Sequence, residues 1–365
     1  MQLTSADETD LLMPLYAGVH DQSRWQSFLA RLQRRTGADH AALILGRNDA
    51  PMDQATEISS GRNLREEADK IGLARHYAAE RLPYRTLRPG RVYGAAELVL
   101  HDAAMRSAHQ HFNEQLGVSD RRVIRIRDQE GASAWLSLAR NDQSFSASDG
   151  ALLIAVAPHV AVALRNFVQT EGLRIQATMA QHALARGRIG WIAFDQDARI
   201  VARDEAMAAL LPITTDERLR TDRMETRQML LHMAAEAANA ANNAYVAPRV
   251  VTLLDTPHLD AVLVPLPDSP AIALATPVLL ALCRLSPQPG EGRAALLAEL
   301  FDLPRREAEL ALAISDGLSI AEAATLLGLT QETARNYSKR IYARMGVRGQ
   351  AELVRRVLLS NALLG

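Results

Sequence analysis

Apolar residues recur along this chain in two different periods, and the switches between those periods divide it. The first 147 residues mix them. Helical spacing covers residues 8–19 and 22–35, and the run Ala41-Ala42-Leu43-Ile44-Leu45 after Gly37 predicts a strand. A charged helical pattern covers residues 65–80, and two more strands, 122–127 and 134–139, flank a turn at Gly131. From Ser148 the helical period runs almost unbroken to Ala185. Leu153, Ala157, Val160, Leu164 and Phe167 approximate a 3.5-residue seam, which Glu171 and Arg174 interrupt and Ile175, Met179 and Leu184 continue on a shifted register. The seam outlasts an ordinary globular helix. Residues 148–186 are therefore expected to pair with a second copy and to link two domains; the alternative is a helix docked on its own domain. Residues 187–284 return to short strands. Gly190 to Val201 reads as strand, acidic turn and strand, followed by helices 204–211 and 226–242 and by strands 247–253, 259–265 and 271–276, with Pro265, Pro267 and Pro270 marking turns or edges. Ser286-Pro287-Gln288-Pro289-Gly290-Glu291-Gly292 is the clearest linker, and residues 285–300 are assigned to it.

The remaining segment, 301–365, is read from its punctuation. Leu310, Ala313 and Ile314 keep helical spacing and stop at Asp316-Gly317. Ser319 with Glu322 three residues later forms a capping box for a second helix, which ends at Gly328. Thr330 caps a third helix, with Thr333 at its third position. That helix runs to Met345 and is closed by Gly346. Ala334, Ile341 and Met345 form its inward face; Arg335, Asn336, Lys339 and Arg340 face outward. A helix, a three-residue turn holding Gly and a longer basic helix are the elements of a helix-turn-helix. Such a helix fits the major groove, where Asn pairs with adenine and Arg with guanine, while hydroxyls at a capped N-terminus reach phosphates.

This segment resembles the LuxR/FixJ-type DNA-binding domain of bacterial transcription regulators. The likeness rests on Leu303, Arg306 and Glu307, on Gly317, Ser319, Glu322 and Ala324, and on Leu327, Thr330, Thr333 and Gly346-Val347. It implies an all-α four-helix domain, with Arg335, Asn336 and Lys339 as base contacts. Ser319, Thr330, Thr333, Arg340 and Arg344 complete the implied DNA-binding set, Thr330, Thr333 and Arg340 lying nearer the backbone. A fourth helix, residues 350–359, often supplies a dimer contact in that family. Pro304, Ala323, Ala334, Tyr337 and Arg344 depart from its pattern without removing the basic face. More loosely, residues 1–147 resemble a GAF- or PAS-like sensor, down to Phe145-Ser146-Ala147-Ser148-Asp149 before the long helix. The hairpin opening residues 187–284 resembles a PAS domain, although Arg203-Asp204 stands where Asn is common. The expected fold is thus multidomain: α+β sensor domains, a long linker helix and a C-terminal helix-turn-helix domain.

Composition narrows the partners. From Leu303 onward nine basic residues face six acidic ones, and the whole chain carries a formal charge of −1. Such a weakly charged reader implies modest non-specific affinity for double-stranded DNA, and so a reliance on a homodimer or on a partner such as RNA polymerase. The single cysteine, Cys283, fits a reducing cytoplasm. Residues 1–10 are too polar for a signal peptide, and Pro158, His159 and Arg165 interrupt the most apolar run, so no membrane span is expected. No phosphate-binding loop, dinucleotide fingerprint or nucleophile elbow occurs, and Lys70 and Lys339 are the only lysines, so a receiver domain is not expected either. Solvated or capping roles suit His101, His109 and His111 better than a metal site. Acidic turns explain Asp195, Asp197, Asp204 and Glu205 better than acid–base pairs, and Trp25, Trp135 and Trp191 read as core bulk rather than pocket walls. The expected protein is a non-enzymatic regulator with no cofactor, whose sensor domains answer a small-molecule effector that the sequence does not name. Two alternatives remain: a sigma-factor-like promoter-recognition module, and an interaction or anti-regulator protein that has lost DNA binding.

Overall fold

Thr4 sets where helix formation begins in the computed structural model, which describes residues 3–21, 23, 25–47, 52–73, 82–98, 103–127, 131–211, 213, 217–221, 223–239, 246–266, 276–285 and 291–360. Its hydroxyl accepts from the Asp7 amide at 3.1 Å, and the Asp7 carboxylate accepts from the Thr4 amide at 3.2 Å. This reciprocal cap starts helix α1 ahead of the expected residue 8. α1 comprises Ser5–Asp7, a π-helical turn over Glu8–Leu12, and Met13–Ala17. α2 (Gln26–Thr36) ends on Gly37, which takes the left-handed conformation at φ 59°. The chain forms two compact units, Met1–Ile175 and Gln176–Gly365.

In the first unit the three expected strands are the centre of a five-stranded antiparallel sheet: β1 (His40–Arg47), β4 (Asp120–Arg127) and β5 (Ala132–Arg140). The edges, β2 (Thr56–Gly61) and β3 (Val92–Gly94), are additions to the expected set, and the order is β2-β1-β5-β4-β3. The helix expected over residues 65–80 is α3 (Leu64–Lys70); residues 74–80 lie outside the described residues. A further helix, α4 (Ala103–Gln115), precedes β4. One sheet face packs against α1, α2 and the start of α5 through Leu15, Phe28, Leu32, Leu43, Leu136 and Val156. The other face carries a second cluster around Ile44, Tyr84, Val123 and Trp135. Trp25 and Trp135 are each 1% exposed and donate to the Leu15 and Tyr84 carbonyls at 2.9 and 2.8 Å. Both fill cores, as expected.

α5 (Ala147–Arg186) follows the docked alternative over its first half. That half packs on its own sheet, burying Leu152, Leu153, Val156, Ala157, Val160, Ala163 and Leu164. Residues 172–183 are all exposed, with Leu173, Ile175 and Met179 at 67%, 59% and 58%. α5 is the one helix among the described residues long and apolar enough to cross a membrane, but much of its apolar first half is core.

The second unit holds another antiparallel sheet: β6 (Ile189–Phe194), β7 (Ile200–Arg203), β8 (Arg249–Asp255), β9 (His258–Pro265) and β10 (Leu279–Arg284). Its order, β7-β6-β10-β9-β8, repeats that of the first sheet strand for strand. The expected acidic turn is present: Asp195 Oδ1 accepts from the Asp197 and Arg199 amides at 2.9 and 2.8 Å. Asp204 caps α6 (Glu205–Leu210), accepting from the Met207 amide at 2.8 Å. α7 (Met224–Asn239) lies over the sheet, its Thr226 hydroxyl donating to the Thr252 carbonyl at 2.8 Å; residues 240–242 lie outside the described residues. The closing strand departs from expectation. Residues 271–275 lie outside the described residues, and the strand that closes the sheet is β10, between β6 and β9. Leu279, Ala281 and Cys283 point from it into the core with Phe194, Met233 and Leu263. Trp191 is only half-buried, on the opposite face. Burial pushes the Cys283 thiol up to about 12, so little thiolate forms near neutrality. Iodoacetamide at pH 8 should therefore alkylate the native chain at least tenfold more slowly than the urea-unfolded chain, by mass spectrometry; equal rates would contradict a buried β10.

The linker expected over residues 285–300 is shorter than its composition implies. Glu291–Phe301 form a helix, α8, which buries Leu297 (0% exposed) and Arg293 against the helices that follow. Residues 286–290 lie outside the described residues. α9 (Arg305–Ser315), α10 (Ile320–Leu326), α11 (Gln331–Met345) and α12 (Gln350–Leu358) complete the chain. Residues 301–360 thus contain the four helices α9 to α12, and α8 is an additional helix ahead of them in the chain.

Candidate nucleic-acid interface

Backbone punctuation builds the site. α9 ends at Asp316, and Gly317 turns the chain at φ 103°. Ser319 Oγ then accepts from the Glu322 amide at 3.2 Å, and the Glu322 carboxylate accepts from the Ser319 amide at 2.8 Å. That bonding holds the Glu322 carboxyl below the usual carboxylate range. α10 gives way at Gly328, left-handed at φ 65°, to α11, where Thr330 Oγ1 accepts from the Thr333 amide at 3.1 Å and lies 2.8 Å from the Thr333 hydroxyl. Gly346, also at φ 65°, ends α11. Only glycine takes these conformations without cost to a Cβ.

α11 has two faces. Ala334, Ser338, Ile341 and Met345 are buried with Leu310, Ile314, Ala323 and Leu353. Arg335, Asn336, Lys339, Arg340 and Arg344 are exposed. Among the described residues no hydrogen bond or ion pair engages the side chains of Arg335, Asn336 and Lys339. Three donor-bearing side chains, two of them cationic, thus occupy adjacent turns of one helix face, unclaimed by the fold. Arg340 and Arg344 differ: both approach the buried Glu307 carboxylate on α9, at 3.9 and 3.8 Å. Arg344 also donates to the Asp302 carbonyl at 2.7 Å. The hydroxyls of Ser319, Thr330 and Thr333 are likewise engaged, in capping. Ser319→Ala should cost about 1 kcal/mol of stability, checked by denaturant unfolding; a loss confined to DNA affinity would reassign Ser319 to phosphate.

Sequence reasoning missed a second polar feature. On one face of the first sheet, Ala139 lies between His40 and Arg121, and Ala42 lies between Ser59 and Ser137. His40, Arg121 and Ser137 are each 3% exposed. Arg121 donates to Tyr84 Oη at 3.3 Å and Asn113 Oδ1 at 3.4 Å, and His40 Nε2 lies 3.8 Å from Glu57. Strand pairing hides this face from a one-dimensional reading, since the residues are contributed by β1, β2, β4 and β5. Of the histidines weighed as ligands, His111 is exposed; His101 and the His109 side chain lie outside the described residues.

No protein-family model matches the chain, and no curated protein matches it. Among solved structures it is similar to the LBD domain of VqsR from Pseudomonas aeruginosa (17% identity, 46% of this chain and 98% of that one, TM-score 0.33). It is also similar to CepR2 of Burkholderia cenocepacia, an N-acylhomoserine lactone dependent LuxR family transcription factor (14% identity, 46% and 97%, TM-score 0.32). Escherichia coli SdiA matches over 99% of both chains at 10% identity and a TM-score of 0.31. At such scores the likenesses are too loose to assign a common fold.

Proposed function

We propose that this chain is a sequence-selective, DNA-binding regulator of transcription, of LuxR/FixJ type in its C-terminal region and without enzymatic activity. The observation that carries the reading is the face of α11 on which Arg335, Asn336 and Lys339 stand exposed and unclaimed, behind a short glycine turn and a capped N-terminus. Groove-reading helices need that combination: a buried side to fix the angle and free bidentate donors on the other. The units before it serve as GAF- or PAS-like sensors in this reading. The polar face of the first sheet, contributed by β1, β2, β4 and β5, is in this reading the place for a small-molecule effector, since a few convergent polar groups among apolar ones are what ligand sites use. The exposed half of α5 pairs two copies, so that effector binding shifts the spacing of two readers against their half-sites. The chain acts in the cytoplasm, with RNA polymerase as a further partner. Footprinting on the DNA upstream of its own operon, over a range of salt, tests the reading. Salt-sensitive protection of a defined sequence is expected, and uniform or absent protection rejects it.

A further inference from the structure

The exposed basic residues of α11 divide into two groups by what the fold does with them. Arg335 and Lys339 have no hydrogen bond or ion pair among the described residues, whereas Arg340 and Arg344, one turn apart, both lean onto α9. Their shared partner is Glu307, whose side chain is 4% exposed. A buried carboxylate is costly without a compensating charge, and two guanidiniums supply it: Arg340 Nη1 at 3.9 Å from Oε1 and Arg344 Nε at 3.8 Å from Oε2. Oε2 is itself buried and accepts no hydrogen bond among the described residues, so Arg344 is its electrostatic partner. Arg344 reaches further still. Its Nη1 donates to the carbonyl of Asp302, just past the end of α8, and lies 3.9 Å from the Asp302 carboxylate. The last carbonyls of a helix lack partners within it, and a cation there also meets the negative end of the helix dipole. One side chain thus ties the far half of α11 to the end of α8 and to the start of α9.

We infer that Glu307 and Arg344, with Arg340 as a second arm, are positioning residues that set the angle of α11, rather than contacts to DNA phosphates. The inference rests on the DNA-reading proposal for its consequence and on this geometry for its content. The clamp holds α11 at Arg340 and Arg344, while Arg335 and Asn336 project from the half nearer its start and Lys339 from its middle. A small rotation at the clamp is therefore amplified at the reading end. The clamp also fastens the reader to α8, the first described helix after the second sheet, so displacement of α8 would be felt at α11.

Two signs separate positioning from phosphate contact. Removing an acidic side chain from a DNA-facing region ordinarily strengthens binding. Glu307→Gln should instead weaken binding to a duplex that the wild-type chain has selected from a random library, by roughly three- to tenfold. Arg344→Lys keeps the charge but loses the planar fork, and should weaken binding similarly with the salt slope unchanged. A lost phosphate contact, as in Arg344→Gln under the opposite view, would lower that slope by about 1. The double variant Glu307→Gln/Arg344→Lys should bind no worse than the weaker single one. Tighter binding by Glu307→Gln, or a slope lowered in Arg344→Gln, overturns the inference. Hydrogen exchange of the full-length chain decides the geometry without DNA. Glu307→Gln and Arg344→Lys should each accelerate exchange over residues 339–345 while leaving α10 unchanged, and unaltered exchange there rejects the clamp. A wild-type chain that selects no duplex rejects the DNA reading, and hydrogen exchange alone then decides whether the clamp exists.

Discussion

Replacing Arg335 and Lys339 together by alanine is expected to abolish selective DNA binding while leaving the fold intact. The two side chains lie four residues apart, one turn along the exposed face of α11, with Asn336 beside them. Neither supports the fold through a hydrogen bond or ion pair among the described residues, so truncation removes nothing that the folded chain uses. In a groove, a well-placed base contact is worth about 1–3 kcal/mol of discrimination. Treated as independent, the pair amounts to about 2–6 kcal/mol, or at least roughly 30-fold in affinity. The charge removed is the same as in a control pair, Arg305→Ala with Arg306→Ala. Those arginines meet Glu309 on α9 at 2.9 and 3.0 Å and are expected to lower affinity only slightly. Fluorescence anisotropy against a selected duplex and a scrambled one separates the cases. If both pairs weaken both duplexes alike, the effect is bulk charge and α11 is not the reader. If the α11 pair changes neither, the DNA-reading proposal fails.

The parts of this molecule that are legible in the sequence are those governed by local chemistry. Capping boxes, left-handed glycines and the 3.6-residue period act within a few residues of each other. Ser319 with Glu322, Thr330 with Thr333, and Gly317, Gly328 and Gly346 accordingly stand where the pattern predicts them. What escapes depends on partners distant in the chain. α8 reads as linker because Pro287, Pro289, Gly290 and Gly292 dominate the composition; its helix is secured by Leu297 docking into a core that lies after it. The run Leu279-Leu280-Ala281-Leu282-Cys283 is continuously apolar, and periodicity alone does not separate a strand buried between two neighbours from a buried helix. Only pairing with Phe194 on one side and Pro265 on the other makes it β10. β3 has three residues and no pattern to detect. Within the candidate site, the outward position of Arg335, Asn336 and Lys339 is readable from helix periodicity. The engagement of Arg344 with Asp302 and Glu307 is not, since the partners lie about forty residues upstream. Arg344 looks, in one dimension, like one more cation on a basic helix.

The exposed half of α5 leads to the other large expected effect. Leu173, Ile175 and Met179 are more than half exposed on a stretch where every residue from 172 to 183 is exposed. An isolated helix gains little from exposing apolar side chains, and burying each one is worth about 1.5–3 kcal/mol. In a symmetric dimer each contact occurs twice. The pair Ile175 and Met179, four residues apart, lies on one side of the helix. Ile175→Glu with Met179→Glu would put four carboxylates into the interface of two copies, where burial and mutual repulsion both oppose association. Light scattering after size exclusion should show the wild-type chain at twice 39.9 kDa and the double variant at 39.9 kDa. Gln181→Glu, an exposed polar position on the same helix, should leave the larger mass unchanged. The first half of α5 is core and is untouched by these changes, so the variant should melt like the folded wild-type protomer. Loss of dimer should also weaken binding to a paired half-site far more than to a single half-site, because only the paired site uses both readers. A double variant that remains at twice the chain mass places the dimer contact elsewhere, and a monomeric wild type removes the pairing of α5 altogether. Retention of paired-site affinity by a monomeric variant would separate DNA reading from dimer geometry and leave the exposed half of α5 without a role in it.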